Sequence, residues 1–211
     1  MDITQVAKLL NRVGKLVEIK DGYLREKEFH AKNHHKLEEI DGVWEFGLVM
    51  IERTNNPIMK KLKEFSTETE GAKYFLLDNL SSFFFSEKVR PFMMEHDELD
   101  IGGSNFDIDM LFKTMSLLSI PSSLLIIAKQ KVKQRSIQLE RVDETNYIVS
   151  FIGEKGDIIH STIPINYHRA LFIAFKKVYM LHLFKQEVIK LLEGEEIIND
   201  FSENDISIFL Q

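Results

Sequence analysis

Apolar residues recur at Ile3, Val6, Leu9, Leu10, Val13, Leu16 and Val17 with polar residues between them, so the first twenty positions read as an amphipathic helix. Asp21-Gly22 stops it, and a polar stretch from Glu26 to Glu39 follows. The run Val43-Trp44-Glu45-Phe46-Gly47-Leu48-Val49-Met50-Ile51 lies between Asp41-Gly42 and Asn55-Asn56-Pro57, the composition and bounds of a strand. Asn56 before Pro57 has the form of a helix N-cap followed by proline, which predicts a short helix through Phe65. Thr67 and Glu70 have capping-box spacing ahead of Tyr74, Phe75, Leu76, Leu77 and Leu80, so a second helix is expected there. Further helices are predicted around Phe92, Met93 and Met94, after a cap at Ser104, and from Pro121 through Ala128.

The pattern then changes. Ile137 and Leu139 alternate with Gln138 and Glu140, Tyr147 to Ile152 is almost continuously apolar, and Ile159, Ser161, Ile163 and Ile165 share one face of a third extended segment. Turn-rich segments at Asp143-Glu144 and Gly153-Glu154-Lys155-Gly156 separate them, which predicts a three-stranded antiparallel meander with the second strand in the middle. Asn166 can cap the long helix that follows, and the apolar residues from Ala170 to Phe175 surround its circumference, as in a helix enclosed by protein. The expected fold class is therefore α+β: a mostly helical N-terminal two-thirds plus a three-stranded antiparallel meander packed on a long buried C-terminal helix. Short connections and the lack of a Gly/Ser/Pro-rich linker predict a single domain over 1–211, with 193–211 an acidic tail or edge strand. No internal repeat is visible in the residues.

A chain of 211 residues can bury a core without covalent staples, and 44% hydrophobic with 28% charged residues is the balance of an ordinary globular protein. The absence of cysteine excludes disulfides, thiolate catalysis and cysteine metal sites, and fits the cytoplasmic location expected here. Lys8, Asn11, Arg12 and Lys15 break the apolar residues at the N-terminus, unlike a signal peptide. The most apolar segment, Tyr167 to Leu192, carries Arg169, Lys176, Lys177, Lys185, Glu187 and Lys190, charges that would be costly in a bilayer centre, so no membrane association is expected.

Charge is unevenly distributed. Glu193 to Gln211 holds six acids and no base, which accounts for the whole net charge of -6 and leaves 27 of the 33 acidic residues against 27 basic ones. Interleaved with Ile197, Ile198, Phe201, Ile206, Ile208, Phe209 and Leu210, this tail is a candidate contact surface, either for another molecule or for its own chain. Glu195, Glu196, Asp200, Phe201, Asp205 and Phe209 are its candidate partner-binding residues. The alternation in Ile206-Ser207-Ile208-Phe209 also suits a strand, with the acids lying over Lys129 to Arg135.

Three patterns suggest chemistry. On a helix, Glu26, His30, His34 and Glu38 would form one i, i+4 ladder, and two imidazoles with a carboxylate could hold a divalent ion. His96-Asp97 is the dipeptide that HD-type metal-dependent phosphohydrolases carry, and with His30 or His34 it gives the alternative of a metal-dependent phosphohydrolase or nuclease. Lys129, Lys131, Lys133 and Arg135 recur at every second residue, which on an extended chain aligns them for successive phosphates and defines a third reading, nucleic-acid binding. The interleaved aromatics of a single-strand binder are missing there, and a basic helix end explains the lysines as well. No glycine-flanked nucleophile and no phosphate-cradling glycine loop appears. The reading that follows is a non-enzymatic cytoplasmic interaction or regulatory protein that binds another macromolecule, of which an inhibitor or immunity-type protein is one form. Its expected partner is another protein ahead of nucleic acid. No cofactor is expected, and a divalent metal enters only under the hydrolase alternative.

Overall fold

The computed structural model describes residues 1–27, 33–51, 57–127, 134–198 and 201–211. Among them the chain is α+β, with two five-stranded, antiparallel-rich sheets and flanking helices. It divides into two compact units, Met1–Phe83 and Phe84–Gln211, a subdivision that no linker composition announces.

The first unit opens with helix α1, Ile3–Val13, held by a capping box in which the Asp2 carboxylate accepts from the Gln5 N–H at 2.8 Å and the Gln5 side chain accepts from the Asp2 N–H at 3.1 Å. Gly14, at φ +97°, takes the left-handed conformation that ends the helix, and the Lys15 N–H returns to the Leu10 carbonyl at 3.0 Å. The helix therefore stops at Val13 instead of running to residue 20. Five strands follow: β1 Val17–Lys20, β2 Tyr23–Glu26, β3 His34–Ile40, β4 Val43–Met50 and β5 Ile58–Phe65. They pair antiparallel in chain order. Asp41 and Gly42, both at positive φ, make the two-residue turn between β3 and β4. Helix α2, Glu68–Phe84, begins where Thr67 Oγ1 accepts from the Glu70 N–H at 3.3 Å. At Gly71 a Cβ would stand 3.0 to 3.4 Å from side chains of Leu37, Phe65 and Trp44, so glycine there lets α2 lie close to the sheet.

A mostly helical N-terminal two-thirds is thus incorrect. Ile58, Leu62 and Phe65 are spaced four and three apart and read as one helical face, yet the segment hydrogen-bonds along β4 from Trp44↔Phe65 to Met50↔Ile58. Pairing with a strong neighbouring strand overrides a weak local preference. The polar stretch likewise contributes the last residue of β2 and most of β3, so the Glu26, His34, Glu38 ladder required of a helix does not form.

In chain order, α2 is followed by a π-helical segment, Phe85–Val89, and by α3, Arg90–Glu95. In the second unit Asp107, not Ser104, caps α4, Ile108–Leu117, by accepting from the Met110 N–H at 2.9 Å. Pro121 opens a single 3-10 turn, Ser122–Leu124, and then strand β6, Leu125–Ile127, in place of the expected helix. β6 lies parallel to β7, Ser136–Arg141, which pairs antiparallel with β8, Asn146–Ile152. β9, Ile158–Ser161, and β10, Ile165–Asn166, both pair with β8, so this sheet is larger than a three-stranded meander. Helix α5, Tyr167–Leu183, is capped by Asn166 and continues through a second π-helical segment, Phe184–Val188, into α6, Ile189–Glu193. The tail ends in helix α7, Glu203–Phe209, rather than in an edge strand.

One plan recurs along the chain although the residues show no repeat. α1 buries Val6, Leu9 and Leu10, and α4 buries Leu111, Thr114 and Met115, the positions 105 residues on. Both helices close with the same bond, Lys15 N–H to Leu10 carbonyl and Ile120 N–H to Met115 carbonyl. Each is followed by extended chain, an antiparallel meander and a capped 17-residue helix, Glu68–Phe84 or Tyr167–Leu183. Each long helix passes directly into a five-residue π segment that starts with Phe and ends with a fully buried Val, Val89 or Val188, 99 residues apart. The caps agree too, Thr67 and Asn166 each accepting from the N–H three residues on. The clearest difference lies in the outer strand of each meander: β5 is continuous, whereas its counterpart is split between β9 and β10.

Candidate functional site

A partly buried ionisable cluster lies in the first unit. Leu24 and Leu37 are buried partners in neighbouring strands, so Glu26 and His35, two residues away along β2 and β3, point toward the same side as this core. The Glu26 carboxylate accepts from the His35 N–H at 2.6 Å, lies 3.3 Å from His35 Nδ1 and pairs with Lys15. From α2, Asp78 approaches the same ring nitrogen at 3.9 Å, while the imidazole stacks on Phe46 with centroids 5.0 Å apart. Burial pushes the Glu26 carboxyl up, but hydrogen bonds from the His35 ring and N–H and from Lys15 outweigh it and hold the group at about 2. Burial disfavours the His35 cation, yet the hydrogen bond to Glu26 and the charges of Glu26 and Asp78 win and raise its pKa. Asp78 is raised, chiefly by burial. Two carboxyls pushed apart around one histidine can hold or exchange a proton, but Glu26 is already saturated by its partners. The arrangement ties β2, β3 and α2 together.

The acidic tail is largely part of the second unit. Phe209 is fully buried, with its ring 5.3 Å from Phe184 and 6.0 Å from Phe84, and Ile206 and Leu210 are buried beside it. Asp205 forms a capping box with Ser202, and Glu203 binds Arg135 Nε at 2.7 Å. Arg135 also reaches Glu154 at 3.1 Å. Together with Phe184, Ile189, Glu193, Ile198, Phe201 and Ile206, Arg135 lines a cavity of about 320 Å³. Glu195 and Glu196 lie in the turn after α6. Asp200, and the stripe residues Lys129, Lys131 and Lys133, lie outside the described residues.

Of the histidines in the hydrolase alternative, the described ones lie in different units. His30 lies outside the described residues, and His34 is buried on β3 of the first unit. His96 and Asp97 belong to the second unit, where His96 Nδ1 pairs with Glu98 at 3.0 Å and Asp97 begins a 3-10 turn. Among the described residues, no group of three or more His, Asp or Glu is placed to hold a metal ion. None of the described helices is long and apolar enough to cross a membrane.

Outer strand β5 is the other prominent feature, and sequence reading missed it by assigning a helix. Its exposed side chains include Ile58, 61% exposed, and Leu62, 50% exposed, with Lys60, Lys61 and Lys63 around them. Lys61 pairs with Glu45 and Glu64, and Lys63 lies 4.3 Å over the Tyr74 ring. The register shifts between Phe46 and Gly47, whose partners Lys63 and Lys61 leave Leu62 as the extra residue of a bulge. Among the described residues β5 pairs with β4 alone. Fold and surface together define an α+β protein with an accessible sheet edge. Comparison of the chain with family models, curated proteins and solved structures finds no match.

Proposed function

We propose that this protein works by binding another protein and carries out no chemistry of its own. The supporting observation is β5, an eight-residue outer strand that exposes Ile58 and Leu62 and leaves one row of backbone groups without a strand partner among the described residues. Such an edge is a template for strand addition. The acidic tail, attractive in sequence, is a poorer contact: Phe209 is buried, Asp205 caps its own helix and Glu203 holds Arg135. A photo-reactive residue in place of Leu62 in the full chain is expected to yield a discrete protein adduct inside cells, with none from the same group at exposed Lys8. Identical labelling from both positions overturns the reading.

A further inference from the structure

Resting on that reading, we infer that β5 accepts an extended acidic segment of a partner, which adds to the sheet as a sixth strand. The repeated plan supplies a contrast. In the second half the outer strand is interrupted at Thr162-Ile163-Pro164, where the Thr162 N–H bonds to the Val149 carbonyl at 3.0 Å, Thr162 Oγ1 accepts from the Val149 N–H at 3.1 Å and Pro164 has no N–H to offer. That edge contains no lysine. A continuous edge is therefore not a requirement of the plan, since one half lacks it.

The chemistry of β5 selects among occupants. A second copy is disfavoured, because antiparallel self-pairing about the centre of Ile58–Phe65 would set Lys60 opposite Lys63, like charges across a pair. Lysines and bulges are the devices by which sheet edges resist indiscriminate pairing. A segment carrying Asp or Glu avoids the repulsion and gains from it: Lys60 and Lys63, opposite Leu48 and Phe46, share one face and offer it two ammonium groups, whereas Lys61 on the other face is already held by Glu45 and Glu64. Leu62 and Ile58 supply apolar contact. The strand's one acid, Glu64, is bound to Lys61.

The test uses the full chain and two capped octapeptides, one alternating Glu with Val and the other Lys with Val. Amide exchange and chemical-shift titration locate each peptide. The Glu peptide is expected to bind about tenfold or more tightly than the Lys peptide, to slow exchange of β5 amides, and to weaken as salt rises. A Lys60→Glu/Lys63→Glu variant, with unchanged circular dichroism, is expected to reverse the preference. Should that variant misfold, salt dependence and the site of protection in the unaltered protein still decide. Equal affinities, protection elsewhere, or no binding by about 1 mM peptide overturns the inference. An adduct at Leu62 combined with failure of the Glu peptide removes only the acidic partner; loss of both removes the interaction reading as well.

Discussion

The sequence pattern points to His30 and His34 and passes over His35, which β-pairing sends toward Phe46 and two carboxylates. The sign of each pKa shift sets the pH response. Glu26, lowered from 4.5 to about 2, contributes stability that is complete above 4.5 and is lost as pH falls toward 2, at most about 3 kcal/mol. His35, raised above 6.5, contributes stability that is complete below 6.5 and is lost as pH rises through its folded value. Asp78 acts oppositely to Glu26, since a raised carboxyl makes its ionisation a cost. Asp78→Asn is expected to lower the His35 midpoint in an NMR ring titration; an unmoved midpoint would show that the 3.9 Å pair carries no charge coupling. Lys177 offers a second case, 6% exposed and pushed down to about 8, chiefly by burial and then by Lys176. Keeping it charged at pH 7 costs up to about 3 kcal/mol, a cost that disappears as pH rises from 8 to 10.5. Lys177→Met is therefore expected to raise urea stability at pH 7 by about 1 kcal/mol or more despite losing a 3.3 Å bond to the Leu210 carbonyl, and to flatten the alkaline gain.

At the scale of elements, the caps at Thr67 and Asn166 are legible, each a signal contained within four residues, whereas the pattern gives no reading of the Asp2 cap and points to Ser104 where Asp107 caps. Strand β5 and helix α7 depend on what lies across from them. Ile206-Ser207-Ile208-Phe209 alternates like a strand, but Ser202 and Asp205 start a helix that turns Ile206 and Phe209 inward together. Phe209→Ala is expected to cost about 3 to 5 kcal/mol in denaturant unfolding, the range for truncating a buried phenylalanine. Removing 203–211 should leave a protein that aggregates or unfolds rather than one that merely loses a partner. Glu203→Gln is a milder change, since Arg135 keeps Glu154; a loss of about 1 kcal/mol or less is expected from this partly exposed pair.

For the molecule as a whole, the hydrophobic pattern points to an α+β chain but conceals its repeated plan. What recurs is the order of buried positions, not the residues that fill them: Gly71, Ala72, Phe75 and Leu76 answer to Ala170, Leu171, Ala174 and Phe175. Large and small side chains exchange places in two of these pairs, Ala72 with Leu171 and Phe75 with Ala174, and none of the four is identical, while cap, helix length and π segment keep their spacing. The candidate edge was hidden for a related reason, since a lysine-rich strand with Ile58, Leu62 and Phe65 at helical intervals shows no period of two.

The two π segments carry a practical meaning. A π turn holds one more residue than the α-helical ladder around it, and single-residue insertions into a helix are a route by which such turns arise. Deleting one residue within Phe85–Val89 or within Phe184–Val188 should then restore an unbroken α-helix with the turns on either side kept near their present phase. Paired deletions 99 residues apart give the chain its own internal control: if both halves respond alike in thermal melting, the extra residue serves the plan, and if only one does, it serves that half alone.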